Sequence, residues 1–320
     1  MTRVKHRGEK RVRAKTSKTN DGTKVMTLPT KMLEPEQDFS KYIAMLYGQS
    51  GIGKTTALAE WPSSVFLATE PGTLGLKRWE IPADGSGIHS WEEFVAAIDL
   101  LVETKDDPAN KFKTVAIDTW DKAYDLCMDF TCRELGIAHV SEDRTGKSDR
   151  SGKGWTTLKG EFTFQVLRIV NAGYGLTMTS HSKVVTITRH GGDEYDLIQP
   201  SCSGQALDVA KKITDCIFYC EYAKNSEGDR VIITQGDDLV LAKGRSDPTS
   251  DGWPKYLPMP KNKVYETILA AFQGKHLGIA AGEMVISKRA AEPAKTSIKL
   301  DKAKKKGVSG NKRKKILRKK

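Results

Sequence analysis

No run of apolar residues in this 320-residue chain approaches the ~18 needed to cross a membrane as a helix. That pattern excludes a helical membrane protein, and no membrane partner is expected. Cysteine is scarce as well. The five present, Cys127, Cys132, Cys202, Cys216 and Cys220, form no C-x-x-C pair. An odd count without such pairs excludes both a disulfide framework and a zinc site. Free thiols in a reducing cytoplasm are the expectation. The N-terminus, "MTRVKHRGEKRVRAKTSK", is basic but lacks the apolar stretch of a secretory signal. No internal repeat is visible. What remains, 38% hydrophobic and 8% aromatic residues, suits a globular core with polar appendages.

Acidic residues are nearly missing from both ends. Residues 1–24 hold nine Lys/Arg against two acids, and residues 288–320 hold fifteen against two. The net charge of +12 therefore resides in the ends, and residues 25–287 carry a net −8. Blocks such as "KAKKKGVSGNKRKKILRKK" cannot bury apolar surface and are predicted to be disordered. The expected organisation is a basic arm over 1–38, a folded domain over 39–274 and a basic tail over 275–320. Such arms suit nucleic acid, whose phosphates reward each neutralising cation by counterion release. A solubilising or targeting role is the alternative.

The middle alternates between two patterns. Apolar strand-like runs are predicted at 42–48, 64–70, 114–120 and 175–181, with helices over 54–61, 91–102, 120–135 and 157–171. In "WEEFVAAIDLLV" the apolar residues recur at three and four, as on a core-facing helix. Uniformly apolar strands alternating with helices predict an α/β fold, a mostly parallel sheet covered on both faces. Toward the C-terminus the pattern changes. A hairpin turning at Gly191-Gly192, a helix over 203–213, three close strands at 215–222, 230–236 and 238–244, and a last helix over 262–272 predict antiparallel strands added to that sheet. The polar stretch "SEDRTGKSDRSGKGW" (141–155) is long for a connection inside a compact domain, which favours function or disorder.

"GQSGIGKTT", Gly48, Gln49, Ser50, Gly51, Ile52, Gly53, Lys54, Thr55 and Thr56, completes G-x-x-x-x-G-K-[ST] between a predicted strand and a predicted helix. Glycines let backbone N–H groups curl toward phosphate, Lys54 brings a charge to the β/γ oxygens, and the Thr55 hydroxyl suits Mg²⁺. Asp118, ending the apolar run "TVAID", is the expected second metal ligand at the carboxyl edge of the sheet. Glu70 ends another predicted strand at the same edge and is the candidate to activate water. His181 ends a fourth and is the candidate sensor of the γ-phosphate.

A guanine signature is missing too. "TKDD" (104–107) precedes Asp118 instead of following it, and "DTWD" (118–121) lacks the glycine of D-x-x-G. ATP with Mg²⁺ is therefore the expected cofactor pair. The phosphate loop together with "FLATEPG", "TVAIDTW", "TMTSH" and "LAKGR", in this order, resembles the RecA-like core of phage-encoded AAA-domain ATPases. The resemblance is to the Sak-four type, associated with single-strand annealing and recombination, and it covers roughly 41–272. It implies a RecA-like P-loop ATPase in which Glu70 activates water. His181 stands where RecA itself has glutamine. It also implies that Lys243 and Arg245 reach a neighbouring subunit's γ-phosphate, within a homo-oligomeric ring or filament. It makes 141–155 a candidate to face single-stranded DNA, through Arg144, Lys147, Arg150 and Lys153 with Trp155 to stack on a base. A single-strand-binding protein is a further candidate partner. The rivals are an ATP-switched nucleic-acid-binding or packaging-accessory protein that hydrolyses little, and a small-molecule kinase using 141–155 as its lid.

Overall fold

The computed structural model describes residues 27–223, 228–245 and 252–275. Residues 1–26 and 276–320, which hold most of the two expected basic arms, lie outside the described residues. A 3-10 turn at Phe39–Lys41 leads into β1 (Ile43–Gly48), followed by α1 (Lys54–Leu58), β2 (Ser64–Ala68), β3 (Trp79–Glu80), α2 (Trp91–Glu103), β4 (Thr114–Asp118) and α3 (Trp120–Leu135). Then come α4 (Lys153–Asn171), β5 (Gly175–Ser180), β6 (Ser182–Thr188), β7 (Glu194–Pro200), α5 (Gly204–Ile213) and β8 (Cys216–Tyr222). The last elements are β9 (Arg230–Ile233), β10 (Lys243–Gly244), β11 (Tyr256–Pro258) and α6 (Val264–Phe272).

The main sheet runs β11-β9-β8-β1-β5-β4-β2-β3, with β10 also paired to β8. Its middle is parallel, from β8 through β1, β5, β4 and β2 to β3. β9, β10 and β11 join antiparallel. This is the expected RecA-like α/β architecture, with antiparallel strands added by the C-terminal part. Strand residues buried on both faces explain the unbroken apolar runs. Along β1, Ile43, Met45 and Tyr47 enter one core with α2, α3, α4 and α5. Ala44 and Leu46 enter the other, with Phe39, α1, Trp253 and α6.

Helix ends follow local chemistry. Ser90 caps α2 by accepting from Glu93 N, and Glu93 reaches back to His89 N. Thr119 caps α3, and Gly136, at φ 66°, closes it with bonds from Gly136 N and Ile137 N to the last carbonyls. α4 begins four residues earlier than predicted. Asp149 accepts from Lys153 N, which draws the end of the polar stretch into the first turn.

The predicted strand over 238–244 is corrected. Only Lys243–Gly244 pairs with β8, opposite Ile217 and Cys216. Asp237 Oδ1 accepts from Leu239 N and Val240 N, so the backbone turns there instead of extending. The hairpin is as predicted: β6 and β7 pair from Ser182↔Pro200 to Thr188↔Glu194, and Gly192 N donates to Arg189 O at the turn. All five cysteines are free thiols, four of them buried. Burial pushes the Cys220 thiol up to about 12, so it stays protonated beside Lys54. Among the described residues no helix is long and apolar enough to cross a membrane.

Candidate nucleotide site

Parallel strands put their carboxyl ends on one edge of the sheet, where ligands of open α/β sheets bind. Four chain segments meet there. β1 delivers the glycine-rich loop directly into α1. A Cβ on Gly48 would run into the Cys220 carbonyl of neighbouring β8, so the loop can leave the sheet only through glycine. Gly53, at φ 100°, turns the chain into the helix. Lys54 is 6% exposed, and its Nζ donates to Gly48 O and Gln49 O, each at 3.0 Å. Burial holds its pKa below the ordinary lysine value. These two carbonyl bonds poise the ammonium at the mouth of the loop, where phosphate oxygens can compete for it.

β5 lies between β1 and β4, so Thr179 stands beside Asp118 one position past the last paired residues Ile117↔Met178. The Thr179 hydroxyl bonds the Asp118 carboxylate, and the Thr55 hydroxyl lies near enough to favour its charged form. Asp118 is 5% exposed, and burial raises its pKa above the usual aspartate value despite those donors. The next peptide, Asp118–Thr119, is cis. A buried carboxylate and a hydroxyl, both hard oxygen donors, fit Mg²⁺, which completes its shell with water and phosphate oxygens. Thr55 and Asp118 would hold it.

Glu70 lies two residues past β2. Its Oε1 accepts from Thr119 Oγ1 at 2.9 Å, and its Oε2 is 3.5 Å from His181 Nε2. Thr119 is itself tied to Thr69 through bonds in both directions, which fixes the ends of β2 and β4 together. His181 sits in the one-residue gap between β5 and β6. The phosphate loop, Glu70, Asp118, Thr119 and His181 line one cleft of about 290 Å³. Thr179 and Thr119, both inside quoted motifs, were missed as contributors. Only strand register shows what their hydroxyls touch. Arg230 was missed entirely: its Nη1 donates to Ile52 O at 3.0 Å from a strand 178 residues away in the chain.

Lys243 and Arg245 are not in this cleft. β10 pairs with the amino end of β8, at the opposite edge. Lys243 Nζ donates to Lys211 O and Thr214 O at the end of α5, and Arg245 pairs with Asp215 at 2.6 Å while its side chain remains 69% exposed.

The 141–155 stretch joins α3 to α4. Trp120, two residues past Asp118, packs on Phe162, as does Trp91 at the start of α2. Cys127 faces Leu158, so the two helices run antiparallel. The nine residues of α4 before Phe162, about 14 Å at 1.5 Å per residue, therefore extend past the cleft edge of the sheet. At the tip, Asp143 accepts from Thr145 N and Lys147 N, and Asp149 from Ser151 N. These local bonds give order to a stretch with little apolar content. Arg144, Lys147, Arg150 and Lys153 are exposed there, Arg144 donating through Nε to Leu135 O. Trp155 is half-buried against the core and meets His139 edge-on.

Fold and cleft together define a P-loop nucleoside triphosphatase with a RecA-like sheet. The AAA domain family matches residues 40–246, and the chain belongs to that family. It is thus an AAA/RecA-like P-loop ATPase domain, a class that uses nucleotide and usually Mg²⁺. No curated protein matches the chain. Among solved structures, a KaiC-like protein, PH0186, from the hyperthermophilic archaeon Pyrococcus horikoshii is similar. It shares 14% identity, with 70% of this chain and 88% of that chain covered, at a TM-score of 0.39, too distant to bear on fold or function.

Proposed function

We infer that this chain is an Mg²⁺-dependent ATPase that binds single-stranded DNA and acts in recombination, annealing or replication, as its sequence resemblance to the phage-encoded Sak-four type implies. One observation carries the hydrolytic part: two separately held carboxylates face the same cleft as Lys54. Asp118, buried and bonded by the Thr179 hydroxyl, suits the metal. Glu70, fixed by Thr119 at the rim, is free to polarise a water on the γ-phosphate. His181, 3.5 Å from Glu70, connects that carboxylate to β6 and the hairpin beyond it.

The DNA part draws support from the four exposed cations at the α3–α4 tip, on the cleft side of the sheet, together with the strongly basic ends of the chain. Lys243 and Arg245 fit a head-to-tail assembly, because the edge carrying them is the one a neighbour would present to the cleft. Such an interface closes into a ring or continues as a filament. In that assembly the two cations leave their carbonyl and Asp215 partners for the neighbour's phosphate. The test is ATP turnover with and without single-stranded DNA. Stimulation together with DNA binding is expected. Turnover that ignores DNA, with no DNA bound, removes the recombination reading and leaves the ATPase.

A further inference from the structure

We propose that Arg230 is a positioning residue of the phosphate site, acting through the backbone of the glycine-rich loop; this rests on the nucleotide reading above. Arg230 opens β9, opposite Tyr222 of β8, and its own carbonyl accepts from Met259 N beside β11. It is therefore held on both sides by sheet pairing. From there its Nη1 donates to Ile52 O at 3.0 Å. The same nitrogen covers Gly53 so closely that a Cβ on Gly53 would collide with it. Gly53 needs glycine for its left-handed backbone, and the guanidinium lies directly over it.

A phosphate nest works only when backbone N–H groups point inward, and a carbonyl turned inward repels the anion. Ile52 is the residue at which that choice is made, directly before Gly53 and Lys54. Arg230 holds the Ile52 oxygen outward. Among the described residues Arg230 has no carboxylate in ion-pair contact, so its charge adds to that of Lys54 behind the loop. Both effects act on phosphates common to ADP and ATP, and neither touches the water or the γ-phosphate. The role therefore shows in affinity and not in the chemical step.

The experiment measures equilibrium binding of ADP and of a non-hydrolysable ATP analogue, and steady-state ATP turnover, for full-length wild type, R230M and R230K. Methionine keeps the packing of the stem and removes donor and charge. Lysine keeps the charge and one donor. Loss of a charge-assisted hydrogen bond predicts roughly tenfold weaker binding of both ligands by R230M. KM rises in parallel, kcat stays within about twofold, and R230K recovers to within about threefold of wild type. Unchanged affinity in R230M overturns the proposal. So does a loss confined to the ATP analogue, or an R230K as weak as R230M. If R230M lacks a folded baseline in its circular-dichroism melt, R230Q replaces it under the same criteria. Wild type that binds neither ligand would refute the nucleotide reading itself, a result distinct from any of these.

Discussion

Replacing Asp118 by Asn should move stability and activity in opposite directions. In the folded chain this carboxylate is buried and raised in pKa by desolvation, with the hydroxyl bond from Thr179 and the nearby Thr55 hydroxyl in partial compensation. Burying an ion costs several kcal/mol, while each charge-assisted bond returns about 1.5–3 kcal/mol. The net is a penalty on the order of 1 kcal/mol in the metal-free protein. Asparagine keeps an acceptor for Thr179 and removes the charge. For a domain of this size each kcal/mol corresponds to roughly 2–4 °C, so D118N should melt about that much higher in Mg²⁺-free buffer at neutral pH. The sign follows from linkage: a folded-state pKa raised above the unfolded value means the folded state takes up its proton first as pH falls. The ionised group therefore weakens the fold at neutral pH, and that penalty fades as pH drops through the raised pKa. The thermal advantage of D118N should shrink toward acid accordingly. Turnover should fall by about 10²–10³, the usual cost of losing one electrostatic anchor of a transition state. Paired melting curves across pH and a coupled phosphate-release assay measure both. A D118N that melts lower than wild type at neutral pH, or that keeps Mg²⁺-dependent turnover, would refute the reasoning.

Glu70→Gln should retain nucleotide binding while lowering kcat by about 10²–10⁴, the range of a lost general base, as read by comparing ADP affinity with turnover. Lys54→Ala should abolish ATP turnover with the fold intact by circular dichroism, because it removes the one loop cation that can reach the phosphate oxygens. Gly48→Ala should cost about 1–3 kcal/mol in urea unfolding, since its methyl meets the Cys220 carbonyl across β1 and β8. Tyr47→Phe should cost about 1 kcal/mol by the same assay. The buried Tyr47 hydroxyl donates to Leu241 O at 2.7 Å, and the substitution leaves that carbonyl of the turn segment unpaired.

Much of the architecture was legible in the chain because it is written locally. Apolar runs buried on both faces announce parallel strands, apolar residues recurring at three and four announce α2, and Gly-rich spacing announces the phosphate loop. Where local signals conflicted, the reading failed in a particular way. "DLVLAKG" has strand composition, yet Asp237 turns the backbone, and the segment keeps a single bridge from Val240 to Ile198 and the short Lys243–Gly244 pairing with β8. The helix starting at Lys153 was hidden inside a polar stretch, because the Asp149 bonds to Ser151 N and Lys153 N that lead into it carry no hydrophobic periodicity.

The sequence by itself determined that Lys54, Thr55, Asp118 and Glu70 would share one edge, since each ends or follows an apolar strand and parallel strands end together. Only the tertiary structure decided which side chains meet. Placing β5 between β1 and β4 sets Thr179 against Asp118, and the stitched ends of β2 and β4 set Thr119 against Glu70. Pairing β9 to β8 lays Arg230 over Gly53, and β10 leaves Lys243 and Arg245 at the far edge. The reason is that strand order and register are long-range properties. They are settled by how whole faces pack, and no window of local sequence contains both partners of such a contact.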